Sequence, residues 1–123
     1  MGQGTTSSRI DALLQKFADA VIRQGEELRD AGDPRAGNGA GHRYAAAARE
    51  LLASGDTAID RFASLLWHPD DQVKVMAAAY LLNDRTEVAV DTLRPIAAGS
   101  GLAALGAQMA LERYEEGNLS IED

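Results

Sequence analysis

Histidine, serine and carboxylate side chains could support metal binding, nucleophilic catalysis or acid–base catalysis, depending on their spacing. His42 and His68 lie far apart, without a His-x-x-x-His pair or a nearby group of acidic ligands, so the pattern predicts no zinc site. No serine stands in a Gly-x-Ser-x-Gly setting, the arrangement that exposes a nucleophile. Glu115 and Glu116 are adjacent, and helical neighbours diverge by about 100°, so they do not form the facing pair of a glycosidase. We therefore predict no catalytic residue, no metal and no cofactor.

Composition narrows the class of protein further. The 123 residues are a single-domain length, and 46% of them are hydrophobic while only 5% are aromatic, which favours closely packed helices over sheets. The chain has no cysteine, which excludes disulfides and fits a reducing compartment. Its longest uncharged run, residues 95–111, is interrupted by Gly99 and Gly101, so no membrane segment is predicted. We expect a soluble cytoplasmic protein.

The charge of the chain is acidic and uneven. The net charge is −7, and residues 86–123 carry two basic and seven acidic side chains. Such a surface repels nucleic acid and attracts a basic protein. The alternative is that this acidic charge belongs to a solvated helix end and serves only solubility.

Apolar periodicity predicts an all-helical chain forming a single domain over residues 1–123. A long first helix over residues 8–30, with Ser8 as its N-cap, presents an apolar stripe that includes Ile10, Leu13, Phe17 and Val21. The other predicted helices cover about 43–54, 56–67, 72–82, 87–98 and 102–116, with residues 43–116 forming the helical hairpins. Residues 1–7 are expected to be disordered, 31–42 to form a glycine-rich loop and 117–123 to fray.

Local residue types also predict how these helices begin and end. Gly55 is expected to close the second helix and Asp56 to cap the third. The aspartates at 70 and 71 are expected to cap the fourth helix, whose core stripe is predicted to be Val73, Met76, Ala77, Tyr80 and Leu81. Pro95 is expected to kink the fifth helix, and Gly117 to end the sixth.

Three helices carry a similar small-residue pattern about 30 residues apart, starting at Ala46, Met76 and Leu105. A fixed period in this range is typical of stacked helical hairpins, each too thin to bury its own apolar face. One segment resembles the second helix of a short HEAT repeat through Asp70, Asp71, Val73, Lys74, Ala77, Ala78 and Leu81. With the glycine–asparagine loop and the His68-Pro69-Asp70 turn, the chain resembles a small bacterial HEAT-like family of uncharacterised domains.

This resemblance implies a right-handed α-α superhelix of about six helices, with the first helix as a cap on the first hairpin. Members of that family look like immunity or accessory proteins. The sequence departs from the repeat at Lys74, where arginine is usual, and at Leu102-Ala103, where a Val-Arg pair is usual.

Stacked hairpins present one row of helices on a shallow concave side, which favours a binding surface. The candidate protein-binding residues are Arg43, Tyr44, Trp67, His68, Lys74, Glu112, Arg113, Glu115 and Glu116. Trp67 either contacts a partner or closes the core between two hairpins.

The sequence thus predicts a non-catalytic protein-binding module, an immunity or inhibitory protein whose partner is a basic toxin or other effector. One alternative is a homodimeric structural or accessory module, since terminal repeats without polar caps expose apolar surface. Another is a HEAT-like enzyme or chaperone resembling bilin lyases. A HEAT-like DNA glycosylase would need a basic channel, and the net charge of −7 argues against one.

Overall fold

The computed structural model describes the backbone of residues 7–31 and 38–122, and the side chains of residues 7–26 and 43–116. Within this part of the chain all regular structure is helical, which confirms the predicted fold class. The six α-helices are α1 (Ser7–Ala31), α2 (Asn38–Ala53), α3 (Asp56–Ala63), α4 (Asp71–Leu81), α5 (Thr86–Ala97) and α6 (Leu102–Glu122). A short 3-10 helix, Ser64–Trp67, follows α3.

Two helices are longer than their glycines suggested. Helix α2 begins at Asn38, so the predicted loop over 31–42 is wrong for its second part, and residues 32–37 lie outside the described residues. Helix α6 continues through Gly117 to Glu122, which corrects the predicted fraying of residues 117–122. The physical reason is that an interior glycine costs only about 1 kcal/mol relative to alanine, while each added helical residue gains a backbone hydrogen bond. The predicted disorder of residues 1–7 is wrong at Ser7, the first residue of α1, and the predictions for residues 1–6 and Asp123 fall outside the described residues.

The helices group into two compact units, residues 1–65 and residues 66–123. The single domain and the superhelical arrangement expected from the resemblance therefore stay predictions. Each unit has its own buried side chains.

In the first unit, α1 packs along α2, and α3 packs against both. Phe17 is fully buried and meets Tyr44 and Phe62 edge to face, with ring centroids 5.8 Å and 5.0 Å apart. Such aromatic pairs contribute about 0.5–1.5 kcal/mol each beyond the burial of their area. Ile10, Leu13 and Val21 are buried as the periodicity predicted. One aromatic cluster therefore joins the three helices of this unit.

In the second unit, α5 packs against α4 and α6, which also contact each other. Their buried side chains include five nearly fully buried alanines together with larger ones such as Leu81 and Leu93; the alanines are Ala77, Ala78, Ala89, Ala104 and Ala107. Val75 is also buried, whereas Met76 and Tyr80 are only half-buried. The predicted core stripe of α4 is therefore wrong at Met76 and Tyr80, because α6 approaches α4 most closely at Val75, where a Cβ on Gly106 would lie 3.2 Å from Val75 Cγ1.

The ends of the helices are partly as predicted. Asp70 is the N-cap of α4, and its carboxylate accepts hydrogen bonds from the backbone N–H groups of Gln72 and Val73 at 2.8 Å and 3.2 Å. Ser8, however, lies inside α1. Gly55 does not close α2 but precedes α3, where its carbonyl accepts the first helical hydrogen bond, from Ile59. Asp56 is consequently the first residue of α3 and not its cap.

We predict that Gly55→Ala lowers the free energy of unfolding by about 1–3 kcal/mol through backbone strain alone. Gly55 has φ 100° and ψ 178°, a conformation open to glycine only, and an added Cβ would meet nothing within 4 Å. Chemical denaturation followed by circular dichroism measures the change. Gly99→Ala is the control, because Gly99 lacks a positive φ and its added Cβ would make an ordinary contact. If both variants lower the free energy of unfolding equally, backbone strain at Gly55 is not the cause of the loss.

We predict that Asp70→Ala costs about 1 kcal/mol of stability, the usual value of a lost N-cap. Asp70→Asn keeps an acceptor oxygen at the same position and is expected to retain most of the stability. Thermal unfolding of the three proteins in one buffer gives the comparison. An Asn variant as unstable as the Ala variant would mean that the carboxylate acts through its charge and not as a cap.

Candidate protein-binding groove

The predicted binding residues do not form one surface. Arg43 and Tyr44 belong to the first unit, and the other seven belong to the second. Arg43 is exposed and lines a polar depression of about 450 Å³ beside α1, together with side chains of both charges, including Lys16, Asp19 and Glu26. This mixture of charges selects no particular ligand.

Tyr44 is a core residue. Only 9% of it is exposed, its ring lies against Phe17, and its hydroxyl is 3.2 Å from the side-chain oxygen of Gln24, to which it donates a hydrogen bond. The prediction that Tyr44 anchors a partner on the surface is therefore wrong. An aromatic side chain on an amphipathic helix packs inward when a neighbouring helix offers an apolar partner.

Trp67 shows the opposite outcome. It ends the 3-10 helix and is 73% exposed, so the reading in which it closes the core is wrong. A large exposed aromatic side chain is the type of residue that dominates the binding energy of interfaces.

His68 and Lys74 shape the start of α4. The Nδ1 atom of His68 accepts a hydrogen bond from the backbone N–H of Asp70 at 3.0 Å. The ammonium group of Lys74 lies 3.6 Å from the carboxylate of Asp71, one turn earlier on the same helix. Both side chains are half-buried and have a structural partner, which gives the turn before α4 a defined geometry.

A groove of about 600 Å³ lies between α4 and α6, within the second unit. It is lined from α4 by Val75, Met76, Ala79 and Tyr80, from the turn after α4 by Leu82 and Asn83, and from α6 by Gly106, Met109, Ala110, Arg113 and Tyr114. Most of these side chains are apolar. Arg113, one of the predicted binding residues, is the charged group in this lining.

The groove follows from the sizes of the side chains on its two helices. An added Cβ at Gly106 would come within 3.2 Å of Val75 Cγ1, so the helices approach closely at this point. The lining combines small residues, Ala79, Gly106 and Ala110, with the larger Met76 and Met109. Small side chains fill less of the space between two helices, which leaves room for an open groove.

Beside the groove, α6 exposes a regular row of side chains that we call the α6 stripe: Leu102, Leu105, Met109, Glu112 and Glu116. Their spacing of three and four residues places them on one side of the helix. The three apolar members are 42%, 53% and 53% exposed. The stripe is thus apolar at its start and acidic at its end, and Glu115 lies off it. The exposed Arg113, four residues after Met109 and three before Glu116, borders the stripe on the side of the groove.

Two kinds of feature are absent from the described residues. Among these side chains, no group of three or more His, Asp or Glu residues could hold a metal ion. In the same part of the chain, no helix has the length and apolar character needed to cross a bilayer.

Sequence reasoning missed the apolar half of the α6 stripe. Leu105 begins the third copy of the small-residue pattern, and such a pattern predicts that its leucines are buried between hairpins. Leu102, Leu105 and Met109 have helical spacing in the sequence. The buried Ala104 and Ala107 also have helical spacing, so α6 has two possible apolar sides. Periodicity shows that a helix has an apolar side and does not show which of two apolar sides meets a neighbour.

Comparisons with known proteins support the fold. No known protein-family model matches the chain, and no curated protein matches it. The chain is similar to the crystal structure of the protein RPA1889 from Rhodopseudomonas palustris CGA009, with a TM-score of 0.79 and 25% sequence identity over 88% of this chain and 89% of that chain. The described residues thus define an all-helical protein with an open groove, and its helical fold also occurs in a bacterial protein.

We predict that Trp67→Ala changes the free energy of unfolding by less than about 0.5 kcal/mol, as an exposed substitution should. The comparison is Phe62→Ala, which removes a fully buried ring and is expected to cost about 3–5 kcal/mol. Denaturant titrations of both variants measure the difference. A loss of several kcal/mol at Trp67 would show that this side chain supports the core after all.

Proposed function

We propose that this chain is a non-catalytic protein-binding module that acts in the bacterial cytoplasm as an immunity or inhibitory protein on a basic toxin or other effector. The observation that carries the proposal is the groove between α4 and α6 together with the exposed leucines and methionine beside it. Large apolar side chains that adjoin a groove mark interaction sites more often than scattered surface residues do.

The charge of the chain supports a basic partner. Glu112, Glu115 and Glu116 are exposed on α6, and the whole chain carries a net charge of −7. Complementary charge raises the rate of encounter with a basic protein and disfavours acidic competitors. Because exposed charges are screened by salt, binding that depends on them weakens as the ionic strength rises.

The inhibitory role rests on the resemblance to the bacterial HEAT-like family whose members look like immunity or accessory proteins. An inhibitor needs no catalytic group of its own, since covering the active surface of an effector is sufficient. A small, acidic helical protein with an exposed apolar groove suits that task.

We predict that the chain, used as bait in an extract of its native host, retains one stoichiometric basic protein at low salt and releases it at high salt. Mass spectrometry identifies the bound protein. The purified partner is then expected to arrest growth when expressed alone and to be harmless when this chain is expressed with it.

The matched control bait is the double variant Leu105→Ser with Met109→Ser, which removes exposed apolar surface without changing the charge. Recovery of the bait alone at both salt concentrations would contradict the proposal. If an equimolar amount of the chain leaves the activity of the captured partner unchanged, the chain is a binding protein but not an inhibitor, and the inhibitory part of the proposal is wrong.

A further inference from the structure

The occupant of the groove can be specified further if the chain is a protein-binding module, as proposed above. We propose that the α4–α6 groove and the α6 stripe together bind one amphipathic helix of the partner protein. Its apolar residues pack against Leu105 and Met109, and its Lys or Arg residues lie opposite Glu112 and Glu116.

The shape of the site fits a helix. Two neighbouring helices form a channel into which the side chains of a third helix can pack, as they do in helical bundles. The α6 stripe repeats at three and four residues, which is the spacing that a helix uses to contact another helix. From Leu102 to Glu116 the stripe is about 21 Å long at 1.5 Å per residue, so four turns of a partner helix would cover it.

The change of character along the stripe specifies the chemistry of the partner helix. Leu102, Leu105 and Met109 require apolar residues over about two turns, and the two glutamates after them require cations. Arg113 lines the groove itself and repels a cation there. The basic residues of the partner helix must therefore lie over the stripe, and the residues that enter the groove must be apolar or neutral.

A second copy of this chain fits the stripe poorly. If two copies paired their α6 helices in parallel, Glu112 and Glu116 of one copy would face the same acidic residues of the other. If they paired in the antiparallel direction, Glu116 would lie opposite Leu102 and Glu112 opposite Leu105. The first arrangement opposes like charges, and the second buries carboxylates against leucine without a partner, which is unfavourable.

The test uses two synthetic helical peptides of about 18 residues, long enough for the four turns. Both carry leucines at three- and four-residue spacing over two turns, followed by lysines in one peptide and glutamates in the other. Isothermal titration with the full chain is expected to show at least about tenfold tighter binding of the lysine peptide. Amide NMR shifts caused by this peptide should be confined to α4, α6 and their adjoining turns.

Two double variants separate the stripe from the general charge of the chain. Glu112→Gln with Glu116→Gln removes two charges from the stripe, and Glu87→Gln with Asp91→Asn removes two exposed charges of α5 that lie off it. We expect the first pair to weaken the lysine peptide about three- to tenfold and the second pair to change its affinity less than about twofold. Leu105→Ser with Met109→Ser should lower the affinity for the lysine peptide at least about tenfold. Circular dichroism should show that this variant keeps the helical content of the unmodified chain.

Several results would overturn this inference. Equal weakening by the two charge pairs would mean unspecific attraction, and amide shifts outside the second unit would place the peptide elsewhere. A dimer in analytical ultracentrifugation that Leu105→Ser with Met109→Ser dissociates would make a second copy the occupant.

The capture experiment separates this inference from the proposed function. An inhibited partner that binds the stripe variants as well as it binds the unmodified chain would overturn the inference and leave the proposed function in place. The opposite outcome is also informative. If the lysine peptide binds the stripe but the chain retains no partner from the host extract, the result would support the inference and count against the proposed function.

Discussion

The structure depends on close contact between helices through small side chains. In the second unit, Ala77 and Ala78 of α4, Ala89 of α5, and Ala104 and Ala107 of α6 are almost completely buried. A helix with alanine on its contact side can approach its neighbour closely, and the approach is limited only by the backbones and a single methyl group. Each such contact buries little area, and the larger buried side chains of this unit, among them Val73, Leu81 and Leu93, add most of the buried apolar surface. In the first unit, an aromatic cluster around Phe17 joins the helices.

This way of packing explains the most unusual property of α6. A surface helix normally buries its large apolar residues and exposes its small or polar ones. Helix α6 buries Ala104 and Ala107 and exposes Leu105 and Met109. The small residues are needed for the close approach to α4 and α5, and the large ones are left outside. Exposing them costs stability in the isolated chain, and a partner that covers them recovers the hydrophobic contribution on binding.

The turn that precedes α4 shows how a suggestive group of residues can be structural. His68, Asp70, Asp71 and Lys74 combine a possible base, two carboxylates and a cation within seven residues. Their hydrogen bonds and ion pair are directed at the backbone of the turn and at each other. The residues that remain available for a partner are instead the exposed aromatic ring of Trp67 and the side chains along α6.

The sequence by itself determined that the chain is helical, where most helices begin and end, and that Asp70 caps α4, because these properties depend on local periodicity and on hydrogen bonds between near neighbours. It determined the acidic character of α6 for the same reason. It did not determine that Tyr44 is buried, that Trp67 is exposed, or which apolar side of α6 meets α4. Those outcomes depend on which side chains a neighbouring helix can accommodate, and only the tertiary structure brings such distant residues into contact.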